Sequence, residues 1–204
     1  LQNIKISSPA VQGLIITPTR ELALQITKVA EKIGKVNGVR VLTIYGGQDI
    51  DRQLKKLNAA PHIVIGTPGR ILDHLRRKTL TINHVNKLVL DEADQLLHMG
   101  FLDEVEELIV NTAPERQTMF FSATIPAKIK ALSVNYMKKP KDLKVMSNSV
   151  TLDEINQIIV ETKEEFKLDK LCGLINQYQP YLAMIFCHTK QRVSNLVAEL
   201  AQRG

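Results

Sequence analysis

A chain of 204 residues exceeds the roughly 150 residues of an average domain, so a domain boundary is expected. With 44% hydrophobic and 24% charged residues, the composition is that of a globular protein and excludes a largely disordered chain. Residues 1–150 hold 21 of the 27 basic residues and 14 of the 21 acidic ones, so the positive excess belongs to this part. Such a charge permits a polyanionic partner there, nucleic acid included, without requiring one.

Cysteine usage and hydropathy exclude further classes of protein. Cys172 and Cys187 are the only cysteines, and no Cys or His stands near them at metal-ligand spacing, so neither a disulfide framework nor a zinc site is expected. No segment reaches the roughly 18 apolar residues of a membrane helix. Residues 1–8 lack the charged and apolar regions of a signal peptide. The sequence therefore predicts a cytoplasmic protein with no membrane partner.

Five short segments rich in β-branched residues predict five buried strands. They cover residues 13–17, 39–45, 62–66, 87–91 and 118–122. Helical periodicity of apolar residues occupies 21–36 and 101–110 between them, and a further helix is expected at 127–136. This alternation predicts an α/β fold, a parallel sheet with helices on both faces. In such sheets ligands bind where the carboxyl ends of strands turn into helices.

A polar segment at 141–154 predicts a linker. It includes Ser147, Asn148 and Ser149 and shows no apolar period. Residues 1–140 would then form a first domain and 155–204 the beginning of a second. The second part predicts strands at 156–162 and 182–187 and helices at 166–178 and 190–203. Two strands and two helices do not close a core.

Two strand-to-helix junctions share the pattern Thr, Pro, any residue, Arg. The first runs from Thr17 to Arg20 and the second from Thr67 to Arg70. Thr is a good N-cap and Pro suits the first helical position. Arg in a first turn opposes the helix dipole by a few tenths of a kcal/mol, so a phosphate partner explains its repetition better. The alternative is a favoured helix start and nothing more.

Gly46 and Gly47 follow the second predicted strand. Two glycines either form a tight turn or let a ligand approach the backbone closely. Together with the two Thr-Pro junctions, they predict a surface that follows a nucleic-acid backbone without reading its bases.

Three carboxylates, Asp91, Glu92 and Asp94, follow an apolar strand directly. Because unpaired buried carboxylates are costly, a cation is their natural partner. The segment has the form of a Walker B element, in which Asp holds Mg²⁺, usually through water, and the next Glu orients or deprotonates a water molecule. The alternative is a solvated helix start, whose dipole favours acidic residues.

Ser122 and Thr124 end the fifth predicted strand. Their hydroxyls are expected to hydrogen-bond a carboxylate on a neighbouring loop such as Asp94. Capping the helix that begins near Pro126 is the competing role.

In chain order, PTRELALQ (18–25), GG (46–47), TPGR (67–70), DEAD (91–94) and SAT (122–124) resemble motifs of the first core domain of DEAD-box RNA helicases. IFCHTK (185–190) is similar to the first motif of that family's second domain. The resemblance implies an incomplete RecA-like parallel sheet followed by the start of a second RecA-like domain. It also implies ATP and Mg²⁺ as cofactors, and RNA as the partner, held mainly by its single-stranded backbone and in some cases within ribonucleoprotein complexes.

The same resemblance assigns roles to residues. Asp91 would hold Mg²⁺ through water, Glu92 would activate the attacking water, and Asp94 with Ser122 and Thr124 would couple nucleotide state to RNA binding. The residues implied to contact RNA in the first domain are Pro18, Thr19, Arg20, Glu21, Gly46, Gly47, Thr67, Pro68, Gly69 and Arg70. Thr189 and Lys190 would add contacts from the second domain, unless they only begin a helix.

The phosphate-binding pattern G-x-x-x-x-G-K-[ST] does not occur in these 204 residues. Neither do the second-domain motifs that supply arginine fingers, which contribute about 10³ to 10⁵ in rate in other NTPases. We therefore expect a fragment of a longer enzyme that is inactive in ATP hydrolysis by itself. A gap or non-native pairing is also expected in its sheet, where the strand before the phosphate loop would lie.

Two alternatives to an ATP-dependent RNA helicase that unwinds short duplexes stay open. One is an RNA-binding relic without turnover, which salt-dependent RNA binding without ATP hydrolysis in a complete chain would favour. The other is a DNA-directed helicase of the same superfamily 2, which a preference for DNA over RNA would select. Contacts to a backbone carry no base information, so the specific RNA is not predicted.

Overall fold

The computed structural model describes residues 3–145 and 155–203. The chain divides into two compact units, Leu1–Leu143 and Lys144–Gly204, called here the first and second units. Most of the predicted linker, with Ser147, Asn148 and Ser149, lies outside the described residues. The predicted domain limits at 140 and 155 therefore stay a prediction.

The first unit is built on a five-stranded, all-parallel sheet in the order β2-β3-β1-β4-β5. All five predicted strands are present, each one to three residues shorter than predicted. They are β1 (Gly13–Ile16), β2 (Val41–Ile44), β3 (Ile63–Gly66), β4 (Lys87–Leu90) and β5 (Gln117–Phe120). The α/β fold with a parallel sheet is confirmed.

Six helices of the first unit connect and cover these strands. They are α1 (Arg20–Val36), α2 (Ile50–Leu57), α3 (Pro68–Arg76), α4 (Ala93–His98), α5 (Leu102–Val110) and α6 (Ala127–Tyr136). The helices predicted at 21–36, 101–110 and 127–136 correspond to α1, α5 and α6. Helices α2 and α4 were not predicted, because segments of eight and six residues are too short to show a clear helical period.

The strands separate two hydrophobic cores. The larger core lies on the face of Leu14, Ile16, Leu88 and Leu90, where side chains of α3, α4, α5 and α6 pack. The smaller one places Ala23 of α1 against β3. Each fully buried Leu or Ile contributes about 1.5–3 kcal/mol to folding. The larger core therefore dominates the stability of the first unit.

The predicted gap in the sheet is wrong for the strands that the structure describes. The central strand β1 pairs with β3 on one side and β4 on the other, and β2 and β5 are the outer strands. Pairing is continuous across the five described strands, so no gap separates them, and the alternative expectation of a non-native pairing stays a prediction.

The second unit contains a short 3-10 helix (Glu164–Phe166) and two helices, α7 (Lys167–Tyr178) and α8 (Lys190–Gln202). The strands predicted at 156–162 and 182–187 are wrong, because neither segment has regular structure. A strand is stabilised by hydrogen bonds to a neighbour, and a lone pair of strands is marginal at best. Cys172 and Cys187 are partly buried free thiols. Within the described parts of the chain, no helix has the length and apolarity needed to cross a bilayer.

Candidate functional site

The five predicted site loops all begin at the carboxyl ends of the strands, which lie along one edge of the sheet. The last residues of the strands pair across the sheet in a single row, which reads Ile44, Gly66, Ile16, Leu90 and Phe120. The residues that follow them begin the five loops. Because the strands are parallel, the sequence-predicted motifs of the first unit are neighbours in space although they span more than 100 residues of chain.

The first Thr-Pro junction leads into α1, but the predicted cap is wrong, because Thr19 and not Thr17 caps the helix and Pro18 lies before the cap. Thr19 is extended (φ −125°, ψ 152°), and its Oγ1 accepts a hydrogen bond from the Leu22 backbone N–H at 3.3 Å, as an N-cap does. Arg20 is the first helical residue, and its exposed guanidinium lies 5.4 Å from the centre of the Tyr45 ring. A cation–π contact of this kind contributes about 0.5–1 kcal/mol at an exposed site. It holds the arginine beside the loop that follows β2.

The second Thr-Pro junction has Pro68 at the first helical position, as predicted, but lacks the predicted side-chain cap. Thr67 precedes α3 in an extended conformation, but its side chain makes no capping hydrogen bond. Its backbone N–H instead donates to the Ile44 carbonyl at 3.1 Å, which ties the junction to β2. The first turn of α3 therefore lacks a side-chain cap, and an outside acceptor can occupy that position.

The space beside the glycines of these loops is open. A Cβ added to Gly46, Gly47 or Gly69 would meet nothing within 4 Å, and Gly47 has a φ of +80° that favours glycine. Arg70 donates from Nη1 to the Gln48 carbonyl at 2.9 Å and so joins the two glycine-containing loops. The exposed backbone here can be approached closely by a ligand.

Not every predicted contact residue is accessible. Pro18 and Pro68 are buried, whereas Arg20, Glu21 and Gly69 are exposed. Contact through the rings of the two prolines is therefore not open in this structure. Pro68 begins α3, as proline at a first helical position does, whereas Pro18 precedes the cap of α1. Thr189 caps α8 by accepting from the Arg192 backbone N–H at 3.2 Å, and Lys190 is exposed. The helix-start role of these two residues is thus present, and their contact with RNA stays a prediction.

The acidic loop holds Glu92 in an unusual backbone conformation. Glu92 has φ 49° and ψ 52°, the left-handed region, which costs a non-glycine residue about 1–3 kcal/mol. The preceding Asp91 accepts the Glu92 backbone N–H at Oδ1, at 3.0 Å. Ala93 then donates its N–H to the Phe121 carbonyl at 3.0 Å and anchors the loop to the end of β5. Asp91 is half-buried, and Glu92 is exposed.

Asp94 is buried and hydrogen-bonded to the loop after β5. Its Oδ2 accepts the Thr124 hydroxyl at 2.8 Å and the Thr124 backbone N–H at 3.0 Å. Ser122 Oγ accepts the Asp94 backbone N–H at 3.1 Å and donates to the Thr124 carbonyl at 2.6 Å. Burial works to raise the pKa of Asp94, but the hydrogen bonds from Thr124 and from the Gln95 backbone N–H outweigh it and lower that pKa. Asp94 is therefore an ionised structural link between two loops.

Replacing Thr124 by valine is expected to destabilise the first unit by about 1.5–3 kcal/mol, the contribution of a hydrogen bond to a charged group. Urea denaturation at neutral pH measures the loss, and Thr124→Ser, which keeps the hydroxyl, is the control. The folded-state pKa of Asp94 lies below its ordinary value of 3.8. The stabilisation is thus complete above that value and disappears as pH falls through the folded-state pKa. A difference between the variants that persists in acid would contradict this assignment.

The acidic loop fits Mg²⁺ only in part. Mg²⁺ is commonly held by one or two carboxylates together with waters and substrate phosphates. Asp94 is occupied by Thr124 and by the Gln95 backbone N–H, which leaves Asp91 as the available carboxylate next to Glu92. Within residues 3–145 and 155–203, no three His, Cys, Asp or Glu side chains form a metal-binding group. The geometry suits an ion carried with a phosphate ligand.

Sequence reasoning missed four residues around the loop after β2. They are Tyr45, Gln48, Gln53 and His74, which contact Arg20, Arg70 or one another. A buried Gln or His gives no periodic signal, because its polar side chain is read as surface. The signal that could have found Gln53 is the helical spacing of Ile50, Leu54 and Leu57, because Gln53 shares the inward face of α2 with them.

A parallel α/β sheet with an acidic loop after β4 and Thr-Pro junctions after β1 and β3 is the arrangement expected of a helicase core domain. The sequence model of the DEAD/DEAH box helicase family matches residues 1–132. The chain therefore belongs to that family.

Relatives cover the whole chain. It is 44% identical over all 204 residues to a DEAD-box ATP-dependent RNA helicase CshA of Bacillus subtilis and 44% identical to one of Geobacillus kaustophilus. It spans 41% and 44% of their lengths. The crystal structure of a DEAD box protein from Methanococcus jannaschii is similar to this chain, with a TM-score of 0.65 and 36% sequence identity. The likeness covers 99% of this chain and 54% of the Methanococcus jannaschii chain. The RecA-like character of the fold is confirmed by this likeness.

Proposed function

We propose that the protein to which this chain contributes is an ATP-dependent RNA helicase that grips single-stranded RNA by its backbone and unwinds short duplexes. The observation that carries the proposal is the single row of strand ends, which brings five family motifs to one edge of the sheet. The CshA relatives are named RNA helicases and support the choice of RNA over DNA.

RNA would lie against the loops that follow β1, β2 and β3. These loops offer exposed glycine backbone at Gly46, Gly47 and Gly69 and the exposed guanidinium of Arg20. Such groups contact phosphate and sugar and leave the bases unread. The excess of basic over acidic residues in 1–150 favours the same partner.

ATP would be handled at the loops that follow β4 and β5. Asp91 would hold Mg²⁺ through water, and Glu92 would accept a proton from the attacking water. Asp94, already bonded to Thr124, would transmit changes at the nucleotide to the RNA loops. The phosphate-binding pattern does not occur in the 204 residues. We therefore propose that this chain by itself does not hydrolyse ATP.

Replacing Arg20 by alanine in the full-length protein is expected to weaken binding of single-stranded RNA equally for different sequences. The slope of log Kd against log salt concentration should also fall by about one, the contribution of one lost phosphate contact. Fluorescence anisotropy across a salt series measures both quantities, with DNA of the same sequence as competitor. Arg76→Ala is the matched control, because the Arg76 guanidinium pairs with Glu107 at 2.7 Å on an exposed part of α3.

Equal losses from Arg20→Ala and Arg76→Ala would remove Arg20 from the RNA surface. Absence of RNA binding by the unsubstituted full-length protein, or tighter binding of DNA than of RNA, would overturn the proposed function itself.

A further inference from the structure

A buried amide and a buried imidazole connect α2 to α3 behind the glycine loop, defined as residues 45–48. Gln53 of α2 is 1% exposed and His74 of α3 is fully buried. Gln53 Oε1 lies 3.1 Å from His74 Nε2. Buried polar side chains of this kind are costly unless every polar atom has a partner.

The direction of each hydrogen bond follows from the partners. Gln53 Nε2 donates to the Tyr45 carbonyl at 3.0 Å and to Gln48 Oε1 at 3.2 Å. The carbonyl end of this amide therefore accepts, and His74 Nε2 is the donor. Burial, the largest cause, lowers the pKa of His74, with Arg70 and Arg77 adding to the effect and Asp73 opposing it. The ring is thus neutral, and its Nδ1 lies 2.9 Å from the Thr79 hydroxyl oxygen, which also bonds the His74 carbonyl at 3.0 Å.

These bonds hold the glycine loop at both of its ends. Gln53 hydrogen-bonds Tyr45, which precedes Gly46, and Gln48, which follows Gly47. The two glycines have no side chains, so they make no side-chain contacts that could hold the loop. Arg70 adds its bond to the Gln48 carbonyl. Gly47 requires a positive φ of 80°, so the loop needs outside contacts to keep one conformation.

We infer that Gln53 and His74 are positioning residues that hold the glycine loop in the conformation that receives the RNA backbone. The inference rests on the proposed function and deepens it. A loop that visits several conformations binds only in the competent one, and the apparent Kd rises as the competent fraction falls. Neither side chain touches a phosphate in this role, so the number of charge contacts with RNA is unaffected.

The test replaces His74 by phenylalanine in the full-length protein and measures the Kd for a short uridine oligonucleotide across a salt series. We expect a Kd about tenfold higher, corresponding to a loop that is competent about one tenth of the time, with an unchanged salt slope. His62→Phe is the matched control. His62 is equally buried, but it bonds the Arg40 N–H and the Ile6 carbonyl at the opposite end of β3.

A milder pair of variants serves if the phenylalanine proteins do not fold. Thr79→Val removes the hydroxyl that bonds His74 Nδ1, and position 79 is exposed. We expect this variant to keep the melting temperature of the unsubstituted protein and to have a Kd for RNA about threefold higher. His74→Gln, which retains an N–H donor, should bind RNA more tightly than His74→Phe. Faster hydrogen exchange at the Gly46 and Gly47 amides in the weakened variants would supply the structural readout.

The outcomes separate the inference from the proposed function. A Kd that changes equally in His74→Phe and His62→Phe overturns the positioning role, as does a reduced salt slope or a wild-type Kd in Thr79→Val. Failure of the unsubstituted protein to bind the oligonucleotide overturns the proposed function instead.

Discussion

Replacing Glu92 by glutamine in the full-length protein is expected to abolish RNA-stimulated ATP hydrolysis while ATP and RNA still bind. Glutamine has the shape of glutamate but cannot accept the proton of the attacking water. Loss of such a general base costs about 10²–10⁴ in rate. The exposed side chain at position 92 makes no described hydrogen bond that the fold requires. Phosphate release at saturating ATP and RNA measures turnover, and equilibrium titration measures both affinities.

Glu115→Gln provides the control for the loss of one surface carboxylate. The Glu115 side chain is exposed and pairs with Lys138 at 2.6 Å, so its substitution should leave turnover unchanged, as exposed ion pairs contribute little. RNA-stimulated hydrolysis retained in Glu92→Gln would remove Glu92 from its assigned role. Loss of RNA binding together with turnover would show that position 92 shapes the RNA surface as well.

The strands and the motif loops of the first unit were predictable because their signals are local. A buried parallel strand needs a short run of β-branched residues, and a Thr-Pro or Asp-Glu pair at its end marks the loop that follows. Once five such strands are parallel, their loops must meet at one edge. The row from Ile44 to Phe120 follows from that rule.

The parts that were mispredicted depend on partners that local patterns do not reveal. The segments 156–162 and 182–187 have strand-like composition, but Ile159 and Phe186 are about nine-tenths exposed and no neighbouring strand is described beside them. Composition without a pairing partner does not make a strand. The bond between Gln53 and His74 joins residues 21 positions apart, and no local period could have indicated it.

Replacing Gly66 by alanine is expected to destabilise the first unit by more than about 3 kcal/mol, beyond the usual range for overpacking. A Cβ at this position would stand 1.9 Å from the Ile44 carbonyl oxygen and 2.8 Å from its carbon. Those atoms belong to the backbone of β2 and cannot rotate away as a side chain can. The same carbonyl accepts the Thr67 N–H, so relief of the clash would separate β2 from β3 and break the second Thr-Pro junction. The urea midpoint of unfolding measures the loss.

Gly69→Ala is the matched substitution, three residues away, and it should have the opposite effect on stability. A Cβ at Gly69 meets nothing within 4 Å, and alanine within a helix is favoured over glycine by about 0.5–1 kcal/mol. The added methyl group would nevertheless occupy the space through which RNA approaches the first turn of α3, so RNA affinity should fall although stability does not. Equal stability of the two alanine variants would contradict the close approach of β2 to β3. Unchanged RNA affinity in Gly69→Ala would place the RNA elsewhere.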